Sequence, residues 1–279
     1  MRNIFTQIPW RLFLIGFALA WMLSFVLGPF VWQFVTALKP ESQLAKLPPL
    51  IPDRVTWRHF ATVLTAPDFL RICWNSILVA VGTILAGMLL GIPASYALTK
   101  LGIKGSRVML ALLLCLAMFP PIANVAPLYL LFTALGLRDH VLGIIIAHTV
   151  FTLPFLIWTL SSFLREIPDE LYQAARIDGC SHWGVVRHIV LPLAVPGMIS
   201  AGMLVFLLSW NEFLYAFTLS ASERSRTLPV AIALFPGVHE FPWGEIAAAA
   251  ILASLPGVLL MLFFQRWMVS GLTAGSVKG

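Results

Sequence analysis

The chain has 279 residues, 59% of them hydrophobic and 11% charged, and its mean hydropathy is +0.91. Soluble domains carry about 45–50% apolar and about 25% charged residues, so this composition cannot clothe a water-soluble surface. Disorder is excluded by the same hydrophobicity, which leaves a polytopic membrane protein.

The net charge of +6 contains no basic cluster dense enough for nucleic acid, and it reads as loop charge that sets membrane orientation. Cys73, Cys115 and Cys180 are far apart and form no CxxC; they read as lone thiols rather than a disulfide or metal framework.

A membrane helix needs about 20 mostly apolar residues. Six stretches qualify: Leu12–Leu38, Ile72–Leu98, Val108–Leu131, Val141–Phe163, Ile189–Leu219 and Ile246–Gln265. The first exceeds the roughly 7–15 apolar residues of a signal peptide and is read as a retained span. Gly87 and Gly91 form a GxxxG in the second, and Ala249, Ala253 and Gly257 recur at the same spacing in the sixth. Small residues so placed let helices approach closely, within the fold or against a partner chain.

The third span holds Pro120, Pro121 and Pro127, with Asn124 among them. Each proline removes a helical hydrogen bond and is expected to kink the helix. Such a span is either a packed kink or a broken helix lining a substrate path. In the fourth span His148 reads as a satisfied packing residue rather than a ligand. In the fifth, Trp210-Asn211-Glu212 interrupts the apolar run, so Glu212 lines a path, makes an interhelical hydrogen bond, or reaches interfacial water.

Orientation follows from the loops. The tight turn after the second span holds Lys100, Lys104 and Arg107 and no acid, which places it in the cytoplasm with both termini and the Arg165–His188 loop. Ten of the 18 Lys and Arg then lie inside and eight outside. The organisation expected is an N-terminal span with an external loop over 1–71, a core of five helices over 72–269 that carries the cytoplasmic loop at 165–188, and a cytoplasmic tail over 270–279.

That loop reads PDELYQAARIDG over Pro168–Gly179. Pro168 suits a helix start, and Asp169 and Glu170 favour its positive end. Leu171, Ala174, Ala175 and Ile177 form an apolar face, Gly179 suits the stop, and Ser181 can cap a following helix through Val190. Pro192 and Pro196 mark entry into the fifth span. A helix of about three turns is unstable alone in water, so it is held by docking on a partner, on its own neighbours or in the headgroup layer.

The stretch Glu170–Pro196, ELYQAARIDGCSHWGVVRHIVLPLAVP, resembles the EAA loop of permease subunits of bacterial ABC importers. The final QRWMVSGLTAGSVKG and Trp243-Gly244-Glu245 resemble the smaller permease of the maltose-type carbohydrate importers. The family's motif glutamate is Gln173 here, and Glu170 lies one turn earlier.

The resemblance implies an all-α membrane protein of the type I importer (MetI-like) architecture, with six spans and a cytoplasmic coupling helix, in the bacterial inner membrane. It implies an ATPase-coupling role for Glu170, Gln173, Ala174, Ala175, Asp178, Gly179 and Pro192, and a tail contact with the ATPases at Gly275 and Lys278. Asn124, Asn211 and Glu212 are the candidates for the translocation path. The implied partners are a second homologous permease, two ATP-binding cassette subunits and an extracytoplasmic substrate-binding protein. ATP and Mg would be used by those partners and no cofactor bound by this chain, which has no GxxxxGK[ST] phosphate loop. The substrate implied is a di- or oligosaccharide, with a glycerol phosphate importer and an ion-coupled carrier as alternatives.

Overall fold

The computed structural model describes residues 9–44, 51–235 and 241–274. Among them the regular structure is helical: α1 Pro9–Ala37, α2 Glu41–Leu44, α3 Arg58–Thr65, α4 Phe69–Lys100, α5 Ser106–Ala117, α6 Val125–Ala134, α7 Val141–Glu166, α8 Asp169–Ile177, α9 His182–Val185, α10 Leu191–Trp210, α11 Leu214–Leu219, α12 Leu228–Ala233 and α13 Trp243–Ala274. Five helices are long and apolar enough to cross a membrane, and α5 with the segment through α6 makes a sixth as a bent pair.

Two of the expected spans are not continuous. The third turns through 88° between Ser106–Ala117 and Pro121–Ala134. Pro120 takes an extended conformation (φ −60°, ψ 120°), and a 3-10 turn follows over Pro121–Asn124. Each of the adjacent prolines disfavours helical backbone in the residue before it, so two in a row break the helix rather than kink it. Pro127 does not add the expected kink, because it lies in the first turn of α6, where no intrahelical N–H bond is due. The fifth span ends at Trp210 and resumes at Leu214, so the expected Ile189–Leu219 helix is broken at Asn211–Phe213.

The chain divides into two compact units, one of residues 1–69 with 235–254 and one of residues 70–234 with 255–279. In the first, the His59 ring joins three segments: it bonds the Lys39 carbonyl (2.8 Å) through Nε2 and the Glu245 carboxylate (2.9 Å) through Nδ1. Lys39, fully buried, lies over the Trp32 ring at 4.5 Å. Burial pushes its ammonium below the ordinary lysine value.

In the second unit α7 is the axis. Leu156 and Leu160 pack with Ala201 and Val205 of α10. On another side Ile157 packs with Leu98 and Leu110. The GxxxG of α4 belongs to this packing: a Cβ at Gly87 would lie 2.9 Å from Leu156 Cδ2, so a larger residue would force the Leu156 side chain to shift. The spacing thus serves an approach within the fold.

Candidate functional site

The loop between α7 and α10 is built as the sequence predicts at its joints. Gly179 has φ +88°, a conformation glycine adopts freely. Around it the N–H of Cys180 donates to Ala175 O (2.9 Å) and that of Gly179 to Arg176 O (3.2 Å). These two bonds form a Schellman motif that ends α8. Ser181 Oγ then accepts from Gly184 N (3.1 Å) and caps α9. From there the helix runs through a wider π turn, Val186–Val190, into α10. Pro192 has no N–H and its ring crowds the His188 carbonyl, and the wider turn accommodates both.

Of the apolar face read from the sequence, Ala175 alone packs inward, joined by Tyr172. Tyr172 and Ala175 are buried against Tyr96, Leu164, Val185 and Val190. Leu171, Ala174 and Ile177 point outward, Ile177 being 85% exposed. Tyrosine carries the larger apolar surface, and with Ala175 three residues on it wins the inner face. Burial, helped by the neighbouring Asp169 and Tyr96, pushes the Tyr172 phenol up to about 12. Glu170, Gln173 and Asp178 are exposed beside the outer face.

Sequence reasoning missed the residue that fixes α8. Lys100, at the end of α4, donates from Nζ to Ile167 O (2.7 Å) and to Asp169 Oδ1 (2.6 Å), and lies 4.4 Å over the Tyr172 ring. It closes the gap between the ends of α7 and α8.

The candidates for the path separate. Asn124 opens on a cleft of about 490 Å³ lined also by Phe119, Leu128, Ala147, Phe151 and Tyr215. Asn211 is exposed and donates to Leu207 O within its own helix (2.8 Å). Glu212 makes the interhelical bond that was one of its three readings: His148 Nε2 lies 3.0 Å from Oε2. The same carboxylate accepts from the N–H of Tyr215 (2.9 Å) and Ala216 (3.0 Å), which caps α11. His148 is fully buried and satisfied at both nitrogens, Nδ1 facing Ser209 Oγ at 2.8 Å. Gly275 and Lys278 lie outside the described residues.

At the other end of the same unit Asp139 ties two loops together. Its carboxylate accepts from the N–H of Ala221 (3.1 Å) and Ser222 (2.9 Å) and from the hydroxyls of Ser222 (2.6 Å) and Ser225 (2.7 Å). Burial alone would raise its pKa; the bonds from Ser222, Ser225 and Ala221 outweigh it and hold the carboxyl at about 2. Asn75 of α4 adds bonds to the carbonyls of Arg224 and Arg226, both 3.0 Å.

The family model described as the binding-protein-dependent transport system inner membrane component matches residues 83–273. The trehalose transport system permease protein SugB of Mycobacterium tuberculosis is 40% identical over 92% of this chain and 94% of its own. The trehalose/maltose transport system permease protein MalG of Thermococcus litoralis is 36% identical over 91% and 92%. The sulfoquinovosyl glycerol permease SmoH of Agrobacterium fabrum is 35% identical over 91% and 89%. Among solved structures, a chain of a bacterial ABC transporter involved in import of the acidic polysaccharide alginate superposes with a TM-score of 0.79, at 21% identity, over 95% of this chain and 99% of that one. The broken spans, the capped helix between α7 and α10 and the match over most of the length lead to one conclusion: this chain belongs to the family of binding-protein-dependent transport system inner membrane components, the permease subunits of ABC importers.

Proposed function

We propose that this chain is one permease half of an ATP-driven importer for a di- or oligosaccharide, with α8 as the element that receives the motion of a partner ATPase. The observation that carries this reading is the two-faced docking of α8. Tyr172, Ala175 and Lys100 fasten it to the chain's own helices, while Leu171, Ala174 and Ile177 present an apolar strip exposed among the described residues. A short helix held on one side and open on the other suits transmission of a push. In this reading ATP supplies the free energy at the ATPases, and this chain supplies the lever and half of the path. Uptake follows alternating access: closure of the ATPases on ATP moves α8, the spans follow, and hydrolysis resets them.

The sugar assignment rests on relatives named for trehalose, trehalose/maltose and sulfoquinovosyl glycerol. The cleft beside Asn124 suits it, since Phe119 and Phe151 offer aromatic surface and Asn124 an amide that both donates and accepts. The remaining partners are a second permease and an extracytoplasmic binding protein, with the α8 side of the chain in the cytoplasm.

The test is isolation of the tagged chain in mild detergent from its native membranes, identification of what co-purifies, and sugar uptake by the reconstituted complex. Recovery of a second permease and an ATPase, with ATP-dependent uptake of trehalose or maltose, is the expected outcome. Recovery of the chain alone, active on a proton or sodium gradient, would replace this reading with an ion-coupled carrier.

A further inference from the structure

The breaks in the third and fifth spans meet at one side chain. Glu212 lies in the break between α10 and α11, and three donors converge on its carboxylate: the N–H groups of Tyr215 and Ala216, and His148 Nε2. Those donors take three of the roughly four acceptor positions of the carboxylate. His148 is anchored in turn: Nδ1 meets Ser209 Oγ, which donates to Thr83 Oγ1 at 3.4 Å, so α7, α10 and α4 all fix the carboxylate. Tyr215 spans the gap to the other break. Its hydroxyl donates to Pro121 O (3.5 Å), in the 3-10 turn that follows the 88° bend. Its ring meets Phe151 of α7 edge-on at 5.9 Å and walls the cleft that Asn124 opens on.

We propose that Asn124 is the residue of this cleft that meets the passing sugar, and that buried Tyr215, held by Glu212 and His148 as a strut between the two broken helices, is its positioning residue. The reasoning is geometric. The backbone N–H of Tyr215 is fixed by Glu212 at one end and the hydroxyl by Pro121 at the other, so the ring has little freedom to swing. A fixed wall beside an amide selects among sugars by shape and by the hydroxyls that reach Asn124. Glu212 acts through the backbone N–H groups of Tyr215 and Ala216 and through the His148 ring. The proposal rests on the permease reading above.

Two measurements on the complete complex test it. In a chain with Cys73, Cys115 and Cys180 replaced by serine, Asn124→Cys is modified with a water-soluble methanethiosulfonate reagent. Adding Glu212→Gln, which cannot accept all three donors, is expected to change the modification rate by about three- to tenfold, the scale of one or two lost hydrogen bonds, while the subunits still co-purify. Tyr215→Phe, which deletes the strut's hydroxyl and little else, is expected to shift it in the same direction. Equal rates in all three chains would overturn the proposal. Should Glu212→Gln fail to assemble, Tyr215→Phe decides by the same reading.

The second measurement is the ratio of trehalose to maltotriose uptake. A changed ratio in Glu212→Gln supports positioning. Lower uptake of both sugars at an unchanged ratio assigns Glu212 a purely structural role and overturns it. A wild-type complex that takes up neither sugar defeats the substrate reading of the previous section and with it the sugar contact, while the modification rates still decide whether Glu212 and Tyr215 set the cleft.

Discussion

Lys100 does most of its work through bonds that its charge partner does not supply. Its side chain is 5% exposed, whereas that of Asp169 is 71% exposed. An ion pair with one member in water is worth about 0–1 kcal/mol. The bond to the Ile167 carbonyl at the end of α7, and the approach to Tyr172, are lost only when lysine is lost. Asp169→Asn is therefore expected to leave α8 protected, while Lys100→Met loosens it by about 1–3 kcal/mol, the cost of an unmet buried acceptor. Amide hydrogen exchange of α8 in the assembled complex reads both variants, and equal protection would refute the ranking. Asp139 supports a prediction about pH. Its carboxyl, at about 2 rather than the ordinary 3.8, stabilises the fold in its ionised form. That contribution is complete above about pH 4 and is lost as the pH falls from there through about 2. The carboxylate is partly exposed, so about 1–2 kcal/mol is the expected scale after solvent screening. Asp139→Asn should lower the melting temperature at neutral pH, and the gap to the native chain should narrow between pH 5 and pH 3; a constant gap would exclude the mechanism. The sequence could show neither Lys100 nor Asp139 at its task. Their partners lie 69 and about 80 residues away, beyond any local spacing.

α8 shows what local pattern can and cannot decide. Its limits were legible because capping is local: Pro168, Gly179 and Ser181 act within four residues of themselves. Its inner face was not, since the helix carries apolar atoms on more than one side and only the cluster around Tyr96 and Leu164 selects Tyr172. The third span was recognisable as interrupted from its prolines, but the break at Asn211–Phe213 carries no proline or glycine, and Glu212, which caps the helix after it, is tied to His148 across 64 residues. At this scale two substitutions separate holding from pushing. Gly179→Pro cannot take φ +88° and loses the N–H that Gly179 gives Arg176, so the end of α8 should unwind. Ala174 is exposed among the described residues, so Ala174→Glu changes the outer strip. Both variants should insert in the membrane. ATP hydrolysis per sugar imported should rise severalfold in each, as a coupling energy of about 1–3 kcal/mol disappears. Normal uptake at a normal ATP ratio in both would remove α8 from the mechanism.

For the molecule as a whole, the contacts of the second unit sort its loops into two ends. Asp139 bonds residues 221–225, and Asn75, near the start of α4, bonds the carbonyls of Arg224 and Arg226, so these segments share one end. Lys100, at the finish of α4, bonds Asp169, and Tyr96 faces His182, so the α8 loop lies at the other. α4 has 32 residues, and at 1.5 Å per residue it exceeds the roughly 30 Å of a hydrocarbon core, so the two ends fall on opposite sides of a bilayer. Loop charge then chooses the side: Lys100, Lys104 and Arg107 in a short turn favour the cytoplasm for the α8 end. With the three native cysteines replaced, a membrane-impermeant maleimide is expected to label Arg224→Cys in intact cells and Trp183→Cys only in inverted vesicles. Both positions are exposed in this chain, so their labelling reads topology rather than burial. Labelling of both from one side would break the placement of the ends. Labelling in the reverse order would keep the fold and turn the lever away from the compartment that holds ATP, which no import mechanism through α8 survives.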